Sequence, residues 1–546
     1  MTQQYGFELI RETTIPEINS KAKVFRHIKT GAEIVSLEND DENKCFGITF
    51  VTPPPDDTGL PHIMEHSVLC GSRKYPSKDP FFELVKGSLA TFINAMTFSD
   101  KTVYPVASQN TKDFYNLVDV YLDSVFHPNI TPDTLKQEGW HYDMEAADGE
   151  MEYKGVVFNE MKGFYSSPDQ VLYLETGTSL FPDNLYGANS GGNPQAIPDL
   201  SYEQFKAFHE TYYHPSNARI FFYGDDNPEE RLKLLDTYLN EFERKDIPNP
   251  FAPHPEFSEP RRVTIPFDAG EDADNKALVT VNWALPDPLN VERTLSLQVL
   301  YQILLGSPAS PLYKALLDSE LGEDIAGLGL DTDAYQMIFS TGMRGVALED
   351  AGKIEETILE TLQGLVKDGI DPLEIEAAMN TYEFSLREYN TGGFPRGLAM
   401  MFTSLSSWLY GGDPLAPLSY ESTLASIKEK LATDKHYFEK LIDDYLLKNH
   451  HRSTILLEPD SDYSKRLEAQ ERARLDAYRA NLSDKDIETI VAETHRLRQN
   501  QEAPDDPEAI AKLPFLKLSD LDRQSRNFPI EVSQNDGATI VYHDIF

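Results

Sequence analysis

The stretch GLPHIMEHSVLCGS, residues 59 to 72, constrains this chain more than any other. On a helix, positions i and i+4 lie one turn apart on the same face. His62 and His66 therefore aim two imidazoles at a common point, with Glu65 beside them at i+3 from His62. Pro61 suits the first turn of such a helix, where its missing N–H costs nothing. Two neutral imidazoles and a carboxylate brought from elsewhere make an open zinc site with a fourth position for water. A glutamate next to that water can take its proton. H-x-x-E-H is the mirror of H-E-x-x-H, a metal-binding helix pattern that carries its own base. A surface helix with two solvated histidines has the same five residues, so the motif needs a third ligand before it means a site.

The segment KGVVFNEMKGFYSS, residues 154 to 167, reads as a helix that buries one face and turns Glu160 toward the histidines. Upstream, Glu138 in KQEGWHYDME is suited to orient a ligand histidine from behind. In a chain with 90 acidic and 49 basic residues, spacing alone does not choose among Glu138, Glu145, Glu150, Glu152 and Glu160. The run SLATFINAMTF alternates apolar with small polar residues and predicts a strand. Left at an edge, such a strand is a liability unless an extended ligand pairs with it.

The excess of acid gives a net charge of −41, which excludes nucleic acid as a partner, because that binding neutralises phosphates with Lys and Arg. It attracts cationic ligands, or else it is only a solubilising surface. Two cysteines, Cys45 and Cys70, make no disulfide framework and fit a reducing compartment. The first residues show no basic region followed by an apolar one, so no secretory signal is expected. No run approaches the roughly 18 apolar residues of a membrane span. A bacterial cytoplasm or an organelle matrix is the expected location. His209, His214, His450 and His451 lack a carboxylate at metal spacing and are expected to pack or cap.

With 546 residues the chain has room for two to four domains. A first unit, 1–250, holds the metal motif among alternating strand and helix patterns. The proline-rich IPNPFAPHPEFSEP, 247 to 260, reads as a linker. A second unit, 261–458, repeats the rhythm, with ALVTVNWAL followed by helical LSLQVLYQILLG. The fold class expected is α+β, two related units of antiparallel-rich sheet with helices. A charged helical hairpin follows within 461–525, its second helix capped by Ser483 with Asp486 three residues on. Residues 526–546 are expected to open a third domain with a strand that stops short.

Several segments together resemble the pitrilysin/insulinase family of inverted-zinc peptidases, nearest to its presequence-protease branch. They are HIMEHSVLCGSRKYPSKDPFFELVKGSLATFINAMTFSDKTVYPVAS, QEGWHYD, GVVFNEMKG, SGGNPQAIPDLSYEQFKAFHETYYHPSNARIFFYGD and LLGSPASPLYKALLDSELGEDIAGLG. The resemblance implies zinc held by His62, His66 and Glu160, one ion per chain, with Glu65 as general base and Glu138 supporting the site. It implies that a peptide adds to the edge strand at Asn94 and Ala95, and that Leu69, Phe81 and Phe82 form an apolar pocket beside the metal. It also implies an amino-terminal half of a larger clam-shell enzyme that degrades unstructured peptides, with the carboxy-terminal half as partner in cis or in trans. Two alternatives stand beside it: a non-catalytic or partner-dependent subunit, which should show a broken metal motif, and a structural zinc protein, which should show a closed four-ligand site.

Overall fold

The computed structural model describes residues 3–270, 275–524 and 529–543. Two sheets organise it. Strand Lys44–Val51 is buried at every position, as its nearly unbroken apolar sequence KCFGITFV requires of a strand covered on both faces. It lies inside a nine-stranded sheet, between Ala218–Gly224 and Lys101–Ser108. Ala277–Ala284, also buried throughout, takes the same place in a five-stranded sheet, between Arg452–Asp460 and Ile338–Val346.

The two sheets share one topology. In the first, the order Glu33–Glu38, Ala218–Gly224, Lys44–Val51, Lys101–Ser108, Ala90–Ile93 has only its first pair parallel. In the second, Arg261–Asp268, Arg452–Asp460, Ala277–Ala284, Ile338–Val346, Asp324–Asp331 follows the same pattern with the same parallel pair. The expected duplication of an antiparallel-rich α+β unit is therefore present. In each copy the second of these strands in chain order leads to a helix: Leu60–Val68 in the first, Val291–Leu305 in the second. Only the first helix carries histidines.

Each unit lends a helix to the other. Arg396–Trp408 lies on the first sheet, where Leu398, Met401, Leu405 and Trp408 share a core with Val35, Cys45 and Phe221. Gly47 makes room for it: a Cβ there would stand 2.1 Å from Met401 Sδ. Trp408 donates its Nε1–H to Glu33 at 2.8 Å. In return, Pro168–Leu180 packs Val171 and Leu172 against Phe267, Leu278, Ile455 and Leu457 of the second sheet.

Helices Tyr463–Arg479 and Asp484–Glu502 form the expected hairpin, with Ser483 and Asp486 closing the capping box. It rests on the first unit through stacked Tyr142 and Tyr478, with ring centroids 4.3 Å apart. Of the segment expected to open a third domain, residues 526–528 and 544–546 lie outside the described residues. The rest corrects the expectation of a single strand. Ile530–Asn535 and Ala538–His543 pair as a hairpin, because Asp536 and Gly537 take φ of 45° and 83°, as a two-residue turn of this sequence type prefers. No helix among the described residues is long and apolar enough to cross a membrane.

Trp408 is 2 % exposed at the junction of the units. Trp408→Ala is expected to lower stability by about 3–5 kcal/mol, the range for truncating a buried aromatic. A denaturant titration followed by circular dichroism checks it.

Candidate metal centre

Helix Leu60–Val68 buries Leu60, Ile63, Met64 and Val68 in the first core, which leaves His62 and His66 on the opposite, partly open side. Its first turn depends on Gly59, whose φ of 69° is left-handed and whose Cβ would meet Gly191 O at 2.7 Å. That close approach brings the Gly191 carbonyl to His62 Nδ1, 3.1 Å away. A carbonyl only accepts, so Nδ1 carries the proton and Nε2 is left with its lone pair. His66 Nδ1 lies 3.4 Å from Glu138 Oε2 and is committed in the same way.

Glu138 is 6 % exposed and sits in a π-helical turn, Leu135–Gly139. Its other oxygen accepts from Gln137 Nε2 at 2.9 Å and from Cys70 Sγ at 3.4 Å. Next to this turn runs helix Val156–Phe164. Its start at Gly155 presses on the turn so closely that a Cβ would stand 2.0 Å from Gly139 O. Val157, Phe158 and Met161 bury one face, and Glu160 stands on the open one. Its Oε2 lies 3.8 Å from His62 Nε2 and 3.6 Å from His66 Nε2. Ligand atoms of these three residues all lie within 4.8 Å of one another.

Two imidazole Nε2 atoms and a carboxylate oxygen facing one point match the donor set of an open zinc site. The residues fit the ion on chemistry as well as on spacing. Burial opposes a charge on His66, but the bond to Glu138 and the fields of Glu65, Glu138 and Glu160 outweigh it and raise its pKa. A dication at the shared point would take over that role.

Glu65 is 8 % exposed, and its Oε2 accepts from Thr97 Oγ1 at 2.5 Å. Thr97 belongs to strand Met96–Thr97, which with Ala90–Ile93 pairs on one side only, to Lys101–Ser108. Asn94 and Ala95 lie between these two short strands and line a cavity of about 580 Å³ together with His62, His66, Glu65 and Glu160. Leu69, Phe81 and Phe82 do not line it. Leu69 and Phe81 pack half-buried on the first core, and Phe82, on the separate helix Pro80–Gly87, is 62 % exposed.

Three of the histidines expected to pack or cap do so. His451 and His209 bond through Nε2 to the carbonyls of Leu180 and Val125, and His214 Nδ1 caps the turn at Ser216. Burial lowers the pKa of His209 to about 4. Sequence reasoning missed Thr97 and Gly191. The glycine pair in SGGNP was a signal of close backbone approach, whereas a lone threonine on a strand gives none.

Three family models match the chain: Insulinase (Peptidase family M16) over residues 52–163, Peptidase M16 inactive domain over 199–382, and an associated region of the same peptidase family over 457–546. The chain is 48% identical to Presequence protease 1, chloroplastic/mitochondrial, of Arabidopsis thaliana, across 100% of this chain and 51% of that protein. It is 41% identical to Protein HypA of Clostridium perfringens, across 99% and 56% respectively. With the mitochondrial presequence protease of Mus musculus it shares 35% identity, over 95% and 50%. It thus spans about half the length of the curated relatives it matches. Among solved structures, pitrilysin aligns with a TM-score of 0.60 at 16% identity, over 88% of this chain and 51% of that one. A Helicobacter pylori protease aligns at 0.62 and 16%, over 82% and 99%. The structural likeness shows the shared fold, and with the sequence matches it leads to one assignment: the chain belongs to the insulinase family of peptidases, family M16.

Proposed function

We propose that this chain carries the catalytic centre of a zinc-dependent endopeptidase that degrades unstructured peptides such as targeting presequences. One observation carries the reading: His62, His66 and Glu160 converge within 4.8 Å, in the same cavity as a fixed Glu65. Zinc held by the two Nε2 atoms and a Glu160 oxygen supplies Lewis acidity to a peptide carbonyl and brings the pKa of water toward neutrality. Glu65 would take a proton from water on Oε1, the oxygen that Thr97 leaves free, as the water oxygen bonds to the carbonyl carbon, and would return it to the amine nitrogen as the C–N bond breaks. The one-sided edge at Asn94 and Ala95 is suited to pairing with an extended backbone, which reads shape more than side chains. A non-catalytic subunit has no need of an ordered base, and a structural zinc site has no need of a cavity.

The partner in this proposal is a carboxy-terminal half, in cis or in trans. Support comes from the hairpin at Ile530–His543, where Ile530, Val532, Ile540, Val541 and Tyr542 are all exposed. Mixing the chain with a separately expressed carboxy-terminal half should give a one-to-one complex in light scattering.

Elemental analysis should find about one zinc per chain. Glu160→Gln should weaken zinc binding by about ten- to a hundredfold or more, and Glu138→Gln by a similar factor, since it frees His66 from its support. The reading fails if the protein holds no zinc and takes up none on titration.

Glu65→Gln should keep zinc and peptide but lose hydrolysis by at least about a hundredfold, the scale for a removed general base. Thr97→Val should lower kcat about tenfold with KM little changed, and Thr97→Ser should restore it. Loss of zinc in Glu65→Gln would make Glu65 a ligand.

Cleavage of a cationic peptide should fall as salt rises, because screening limits attraction to about 8 Å at physiological ionic strength. A neutral peptide should respond much less, and equal responses would reduce the −41 charge to a solvated surface.

A further inference from the structure

The edge beside the metal centre is broken between Ala90–Ile93 and Met96–Thr97, and the break has a cause in the sequence. Ile93 pairs with Val106 and Met96 with Val103, so one register runs through the gap and sets Asn94 opposite Pro105 and Ala95 opposite Tyr104. Asn94 N–H donates to Pro105 O at 3.3 Å. An antiparallel pair of this kind exchanges two hydrogen bonds, one in each direction. Proline has no N–H, so Pro105 returns none, and the Asn94 carbonyl loses its ladder donor.

Tyr121 supplies a donor in its place. It lies on helix Thr111–Phe126, is 1 % exposed, and its hydroxyl donates to Asn94 O at 3.0 Å. Its ring stands edge-on to that of Tyr104, with centroids 6.5 Å apart and an interplanar angle of 76°. Burial, and after it the field of Glu65, raise its pKa, so the hydroxyl keeps its proton and stays a donor. A ladder bond would tie Asn94 only to the neighbouring strand. The hydroxyl ties it to a helix whose Phe114, Leu117, Val118 and Leu122 lie in the first core.

Both backbone groups of Asn94 are therefore turned inward. Successive residues of a ladder direct their N–H and C=O to opposite sides, so those of Ala95 are directed away from Lys101–Ser108, toward the side of the edge that no described strand covers. Asn94 and Ala95 line the cavity with His62, His66 and Glu160. Two residues on, Thr97 Oγ1 holds Glu65. A shift of the chain at Asn94 would move the pairing groups of Ala95 and the support of Glu65 together.

We propose that Tyr121 is a positioning residue of the peptidase site: its hydroxyl stands in for the amide hydrogen that Pro105 lacks, and holds Ala95 in place to pair with the backbone of an extended peptide. This rests on the peptidase reading above and assigns the pairing to Ala95, the backbone of Asn94 being committed inward.

The test uses the full chain, loaded with zinc and carrying Glu65→Gln so that peptides stay intact. Binding of a labelled unstructured peptide is followed by fluorescence anisotropy, and amide hydrogen exchange of residues 92–98 by mass spectrometry. Tyr121→Phe keeps the ring and removes the hydroxyl. It should weaken binding about three- to tenfold, the range for a neutral hydrogen bond, and speed exchange in 92–98. Pro105→Ala alone should bind as the parent does. Tyr121→Phe combined with Pro105→Ala should return to within about twofold of the parent, because the restored ladder bond replaces the hydroxyl bond like for like. An amide hydrogen on another strand would not mend a loss of packing at Tyr121. Zinc content and circular dichroism establish that each variant is folded, and Pro105→Val carries the test where Pro105→Ala is not. Unchanged binding in Tyr121→Phe, or a loss that persists in the double variant, overturns the proposal and leaves the peptidase reading standing. If no peptide binds the parent, the peptidase reading falls, and this proposal with it.

Discussion

Two hydrogen bonds at Nδ1 determine what the metal centre can do. Gly191 O accepts from Nδ1–H of His62 and Glu138 stands at Nδ1 of His66, so both Nε2 atoms face Glu160. A flipped ring or the other tautomer would turn an N–H toward the same point and leave no donor set. Both supports come from far along the chain and rely on glycine contacts that admit no Cβ: Gly59 against Gly191, and Gly155 against Gly139. The motif supplies two imidazoles, and these two close approaches turn both toward one point.

The duplicated topology divides the work. The first copy puts histidines on the helix after its central strand, whereas the second has LSLQVLYQILL there, with Leu297, Val299, Leu300, Ile303 and Leu304 in its core. With no histidine on that helix, the second copy contributes a wall of the cavity. Exchange of helices brings the wall to the site: Pro168–Leu180 is anchored on the second sheet yet lines the cavity, and Arg396–Trp408 is anchored on the first. Because each exchanged helix lies in an apolar core, sliding one unit past the other would expose buried leucines and Trp408. The cavity is therefore a fixed feature of the packing. At about 580 Å³ it has the size of a pocket for a short segment.

Periodicity and local motifs carried much of this into the sequence. His62, Glu65 and His66 are legible because their relation is a single helical turn. The repeated rhythm of Lys44–Val51 and Ala277–Ala284 is legible because buried central strands read as apolar runs. Spacing leaves the third ligand open among five glutamates, since a contact over nearly a hundred residues has no local signature. The resemblance to a known family supplies Glu160, and the structure brings it to the histidines. The exchange of helices is not legible: Pro168–Leu180 has almost no apolar stripe, Arg396–Trp408 looks like any amphipathic segment, and nothing local says which sheet will cover them. The hairpin at 530–543 reads as one strand although Asp536-Gly537 is a recognised turn pair. There the apolar run Ala538–His543 outweighs the turn in front of it. The pocket of Leu69, Phe81 and Phe82 is implied only by the resemblance, and in the structure a separate capped helix carries the two phenylalanines.

The acidity of the chain acts at two ranges that should be kept apart. Most of the 90 carboxylates are at the surface, where a Debye length of about 8 Å confines each to its neighbourhood. Collectively they raise the encounter rate with any cation and discriminate little among cationic chains. Carboxylates within the cavity work differently, because water and salt screen them less. Glu65 is tied to Thr97, and Glu160 stands beside the two histidines. Asp331, on the wall from the second unit, has no cation within ion-pair distance among the described residues. Long-range attraction can therefore bring a cation to the cavity mouth, while pairing of an extended chain with the one-sided edge at Asn94 and Ala95 would leave its register open. Backbone pairing fixes direction without fixing position, so side-chain contacts across the cavity have to supply the register.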